Sequence, residues 1–178
     1  MPELALTVEH GARHARLPPR ASFGKWARAA LRKNACVTLR IVSAPEARRL
    51  NRRYRGRDYA TNVLSFVYAE RRPLIGDIAI CAPVVAREAR ERGISCDAHY
   101  AHLVIHAMLH LQGYDHENER DARRMERRES RLLGQLGFAD PYGETTRAVS
   151  ERFNKRPARA SRLPPAAARL TQHGRQST

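Results

Sequence analysis

The chain has 178 residues, enough for one domain with a sizeable core and a tail. Its 33 Lys and Arg against 18 Asp and Glu give a formal net charge of +15 and a pI near 11.0, which points to a polyanionic partner. Nucleic acid ranks above an anionic membrane, because no basic amphipathic helix with bulky apolar residues stands out. Only Lys25, Lys33 and Lys155 are lysines, so genome composition by itself can also produce such an arginine excess. Cys36, Cys81 and Cys96 have neither pairing nor CxxC spacing, which implies no disulfide framework. Cys36 and Cys81 sit in apolar runs and read as buried thiols. The N-terminal MPELALTVEHGARHAR has no apolar stretch of signal-peptide length, and no segment reaches membrane-spanning length, so a cytoplasmic protein is expected.

Along the chain, 4–9 is a short candidate strand. Ser22 is a candidate cap for a helix to about Lys33, with Phe23, Trp26, Ala27 and Ala30 on one face. Residues 36–42 alternate and are β-branched, as in a strand. Ser43 and Glu46 form a capping box with Pro45 in the first turn, opening a helix to about Tyr54. Strands are expected at 63–68 and 75–81. Pro83 opens a helix that Gly93 closes, a histidine-rich helix covers about 97–112, and a last amphipathic helix covers about 117–136. The order β-α-β-α-β-β-α-α-α predicts an α/β (α+β) fold, a single mixed four-stranded sheet packed with about five helices. That domain is expected over residues 1–144. Residues 145–178 turn to Arg, Pro, Ala and Ser and read as a basic, disordered tail. Its eight basic residues against Glu151 suit either an RNA-contacting arm or a solvated extension.

The segment His106-Ala-Met-Leu-His110-Leu-Gln-Gly113-Tyr-Asp-His116 carries the most chemistry. Residues at i and i+4 share a helix face, so His106 and His110 can approach one ion. Gly113 can end the helix in the left-handed conformation, and the returning chain can bring in His116. Three imidazoles without a fourth protein ligand make the pattern of a catalytic zinc site with an open position. Metzincin peptidases share the spacing but carry Glu after the first histidine, where this chain has Ala107, so the usual proteolytic base is missing. His102 also lies one turn from His106. It is roughly 12 Å along the axis from His110, at about 1.5 Å per residue, so the two cannot share an ion. His102 reads as a packing residue or one supporting a ligand, and His99 as solvated.

Arg48, Arg49, Arg52 and Arg53 make like-charged i, i+4 pairs, which cost stability unless an anion relieves them. Arg55 follows beside Gly56, where forked guanidinium donors can wrap a phosphate.

Tyr54-Arg55-Gly56, Thr61-Asn-Val-Leu-Ser-Phe66, Gly76-Asp77-Ile78 and the whole histidine segment through His116 resemble the YbeY family. The resemblance extends over roughly residues 3–142, through Met125-Glu126 and Pro141-Tyr142. It implies a single-strand-specific, zinc-dependent endoribonuclease of ribosomal RNA maturation and ribosome quality control. The implied partners are ribosomal RNA and the small ribosomal subunit. It implies one zinc per chain on His106, His110 and His116, with Arg55 as the functional arginine. Two positions depart from the family pattern. Ala60 replaces a usual proline, which removes a φ restraint from the loop carrying Arg55, and Ala107 replaces a usual glycine. Asp115 reads equally as a residue orienting a ligand and as a turn residue. Two other functions compete: an RNA-binding ribosome-assembly factor with structural zinc, and a zinc hydrolase of a non-nucleic substrate such as a peptide.

Overall fold

The computed structural model describes residues 1–11, 16–69, 73–114 and 118–143. Four strands and five helices follow in the expected order: β1 (Leu4–His10), α1 (Arg20–Ala30), β2 (Ala35–Val42), α2 (Ala44–Arg55), β3 (Val63–Ala69), β4 (Leu74–Cys81), α3 (Ala82–Arg92), α4 (Cys96–Leu111) and α5 (Glu119–Gln135). The sheet order is β1-β2-β4-β3. β1, β2 and β4 are parallel and β3 pairs antiparallel with β4, giving one mixed α/β sheet. The parallel pairs need helical crossovers, which α1 and α2 begin, while the β3–β4 pair closes as a hairpin.

Alternation along the strands splits the core in two. Val37, Leu39, Ile41, Ile78 and Ile80 face α1, α4 and α5. Val42, Leu64, Phe66, Ala79 and Cys81 pack on Ala47 of α2 and Val84 of α3. Cys81 is buried as its apolar run predicts. Cys36 is exposed, because it alternates with buried Val37 onto the opposite face of β2. Ser22 does not cap α1. The helix begins at Arg20 behind Pro18-Pro19, so Ser22 lies within its first turn and donates its amide to the Pro19 carbonyl at 2.9 Å. Proline fits that entry because its missing N–H would be unpaired there anyway. The cap at Ser43 forms as expected, its Oγ accepting the Glu46 amide at 3.4 Å.

Helix α4 is the centre of the molecule. Residues 99–101, 103–105, 107–109 and 111 are buried, so beyond its first turn only His102, His106 and His110 form a partly exposed line along it. Gly76 lets the sheet meet this helix. A Cβ there would sit 2.7 Å from the Phe66 carbonyl oxygen and 2.9 Å from Leu111 Cδ2. Within the described residues, no helix is long and apolar enough to cross a membrane. The expected tail, 145–178, lies outside them.

Candidate active site

The histidines converge because α4 turns one stripe toward solvent and buries the rest. Ser95 caps it, its Oγ accepting the Ala98 amide at 3.1 Å. Its other end stops as the glycine predicts. Gly113 has φ of +91°, and the Tyr114 amide donates to the Leu109 carbonyl at 3.1 Å. The rings of His106 and His110 lie with centroids 4.6 Å apart and planes at 74°. The pair that the spacing predicts therefore sits side by side at the half-exposed edge. His116 and Asp115 lie outside the described residues.

A carboxylate that the sequence reading passed over organises this edge. Glu129 of α5 is wholly buried, with one oxygen on each of two histidines. His106 Nδ1 is 2.8 Å from Oε1 and His102 Nε2 is 3.0 Å from Oε2. The Tyr142 hydroxyl donates to Oε2 and also lies 3.1 Å from His102 Nε2. Burial by itself pushes the Glu129 carboxyl up. The neighbouring His106 and the hydrogen bonds from His102 and His106 outweigh it and hold the group well below the usual carboxylate range. Burial first, and then Glu129, push the Tyr142 phenol up, so it stays protonated and donates. The one sequence signal for Glu129 was its place in an apolar stripe with Met125, Leu132 and Leu133, where a solvated glutamate does not belong.

Two cation arrangements are open to these groups. The ligand-type atoms of His102, His106 and Glu129 lie within 4.8 Å of one another, a cluster that can itself hold a cation. Alternatively, Glu129 fixes the His106 tautomer through Nδ1, the usual carboxylate support of a metal-binding imidazole, and the ion lies toward His110. His102 is itself a ligand in the first arrangement and supports Glu129 in the second.

His99 departs from expectation. It is 2% exposed rather than solvated, with Nε2 2.7 Å from Glu88 Oε2 and Nδ1 buried without a partner. Burial above all pulls its pKa down, against the raising effect of Glu88, so the ring is neutral and donates from Nε2. Asn62 donates to the same Glu88 oxygen at 2.9 Å. Glu88 therefore ties α4 to Asn62, where the loop after Arg55 ends.

Arg55 ends α2, with Gly56 behind it at φ of +65°. Its Nε is buried with no acceptor, and burial is the main cause lowering its pKa. No hydrogen bond or ion pair joins Arg55 to the histidines among the described residues. In the loop after Arg55, Asn51 Nδ2 donates to the Tyr59 carbonyl at 2.9 Å, next to Ala60. The arginines upstream are partly neutralised within the chain. Arg48 makes a forked pair with Asp58, both contacts at 2.8 Å, and Arg49 lies 3.9 Å from Glu46.

An α/β fold whose central helix lines up histidines over a buried carboxylate defines a candidate metal-site protein. The comparisons give the family. Residues 20–137 match the family model described as Endoribonuclease YbeY. The chain is 54% identical over 147 residues to the Methylobacillus flagellatus protein named Endoribonuclease YbeY, covering 83% of this chain and 99% of that one. It is 56% identical over 142 residues to the Aromatoleum aromaticum protein of the same name, covering 78% and 92%. A Thermotoga maritima protein solved in solution shares the fold at a TM-score of 0.50 and 22% identity, covering 86% of this chain and 99% of that one. The chain belongs to the YbeY endoribonuclease family.

Proposed function

We propose that this protein is a zinc-dependent, single-strand-specific endoribonuclease acting in ribosomal RNA maturation and ribosome quality control. In this reading zinc sits on His106, His110 and His116, and Arg55 is the catalytic arginine. Ribosomal RNA on the small ribosomal subunit is the substrate, the compartment is the cytoplasm, and 1–144 is the working domain with 145–178 as a basic arm. The observation that carries the reading is the paired His106 and His110 at a half-exposed edge, with Glu129 accepting at His106 Nδ1.

The donor set suits zinc. Neutral imidazoles oriented by a hydrogen-bonded carboxylate are its ordinary ligands. When bound, zinc supplies Lewis acidity toward a phosphodiester oxygen and makes water a competent nucleophile near neutral pH. Glu129 keeps His106 in one tautomer. Tyr142 and His102 fill the other Glu129 oxygen, so that carboxylate does not swing into the site. Arg55 meets the negative charge that grows on the phosphodiester. Its buried Nε without an acceptor is the group that such an anion satisfies.

The second reading, a cation on His102, His106 and Glu129, is favoured by the closeness of those atoms. It requires an ion to displace the hydrogen bonds that the wholly buried Glu129 already accepts. The two separate by elemental analysis of His110→Ala. Loss of most of the zinc supports the first set, and full occupancy overturns it. Cleavage assays on single-stranded RNA and on casein, run on the same zinc-loaded samples, test the substrate class. Arg55→Ala should keep its zinc and melting temperature while losing roughly tenfold or more of RNA cleavage. An unaffected rate overturns its role.

A further inference from the structure

Tyr114 directly follows Gly113, and its amide bond to Leu109 fixes it to the terminal turn that carries His110. Three guanidiniums close on its ring. The Cζ atoms of Arg32, Arg124 and Arg128 lie 5.9, 5.6 and 5.8 Å from the ring centroid, and Arg32 Nη1 also donates to the phenol oxygen. Arg32 comes from the loop after α1. Arg124 and Arg128 lie one turn apart on α5, the helix that carries Glu129 to the histidines.

None of the three pairs with a carboxylate among the described residues. Three acids of α5 are engaged elsewhere, Glu119 with Arg123, Asp121 with Asn118, and Glu129 with the histidines, and the fourth, Glu126, makes no ion pair with these arginines among the described residues. Arg128 Nε is buried without an acceptor. Arg32 also lines a hollow of about 300 Å³ with Met1, Pro2, Lys33 and Asn34.

One arginine over a tyrosine is ordinary packing, and the C-terminal ends of α1 and α4 add some negative potential nearby. Three cations on one ring are different. The Arg124–Arg128 pair repels at i, i+4, and Arg32 adds a third like charge. An anion with several acceptor oxygens relieves this excess, and a phosphodiester matches forked guanidinium donors. We propose that Arg32, Arg124 and Arg128 around Tyr114 form a phosphate-binding site that holds the RNA strand beside the histidine edge, separate from Arg55. The proposal rests on the nuclease reading for the identity of the anion.

The test uses a fluorescent single-stranded oligouridylate, with anisotropy across a salt series and cleavage followed on gels from the same samples. A variant with Arg32→Gln, Arg124→Gln and Arg128→Gln should keep its zinc content and melting temperature. Its slope of log affinity against log salt should be shallower by about 1–2, since each lost phosphate contact on a single strand removes about 0.7. The matching triple lysine variant should retain most of the slope. A triple glutamine slope equal to wild type overturns the site. So does a lysine variant as impaired as the glutamine one with a lowered melting temperature, because the arginines would then be packing on Tyr114. If the triple glutamine variant does not fold, Arg124→Glu alone reverses one exposed charge and should flatten the slope; an unchanged slope there overturns the site. Wild-type protein that binds the strand without cutting it defeats the nuclease reading and leaves the slope comparison standing.

Discussion

A carboxylate inside a protein persists only when its lone pairs are occupied, and Glu129 has His106, His102 and Tyr142 to occupy them. In the zinc reading proposed above, Glu129 is a positioning residue, one that acts through His106. Glu129→Gln keeps the volume but removes the charge and one acceptor face. Zinc affinity, measured by competition with a chelator, should fall about 10–100-fold while the fold persists. Glu129→Ala additionally strands the groups that the carboxylate satisfies. Denaturant titration should show a loss of about 1–3 kcal/mol. Wild-type zinc affinity in Glu129→Gln would mean that the His106 tautomer needs no help from this residue.

At the scale of elements, the site depends on how closely α4 lies on the sheet. Gly76 of β4 meets Leu111, the neighbour of His110, at a distance that no side chain fits. Gly76→Ala forces either the Phe66 carbonyl or the end of α4 to move. Overpacking of this kind costs about 1–3 kcal/mol, and the shift reaches the histidine pair, so stability and zinc affinity should fall together. Calorimetry and metal titration of the one variant check both. A variant that melts at the wild-type temperature would show that Leu111 repacks without cost.

For the whole molecule, the buried His99 and its partner Glu88 make stability depend on pH. In the native state His99 is held neutral by burial, next to Glu88, His102 and Arg92, and the Glu88 carboxyl is held below its ordinary range. Burial pushes Glu88 up, but the hydrogen bonds from His99 and Asn62 outweigh it. In the unfolded chain the histidine takes a proton below about pH 6.5, and the carboxylate takes one further down. The unfolded state thus binds more protons over this range, and stability falls as pH falls. The melting temperature should drop from pH 7 to pH 5, and His99→Gln should show a shallower drop. Equal slopes in the two proteins would place the acid sensitivity elsewhere.

Local signals were enough for the elements and for the placement of His106 beside His110. Alternation and caps placed four strands and five helices in order. The i, i+4 spacing with Gly113 placed His106 beside His110, because helix geometry alone dictates which residues share a face. Helix and strand ends were less legible. Ser22 looked like a cap, yet Pro18-Pro19 starts α1 earlier. What faces a residue across the fold is not written in its neighbours. His99 looked solvated by its polarity, but α4 is buried nearly all round, and Glu88 from another helix satisfies one of its nitrogens. Glu129, more than twenty residues past His106, reaches it only because α5 packs back along α4. The sequence alone determined that His106 and His110 share one face of the histidine helix. Only the tertiary structure decided which of them has a buried carboxylate behind it, because burial and its compensation depend on contacts between segments far apart in the chain.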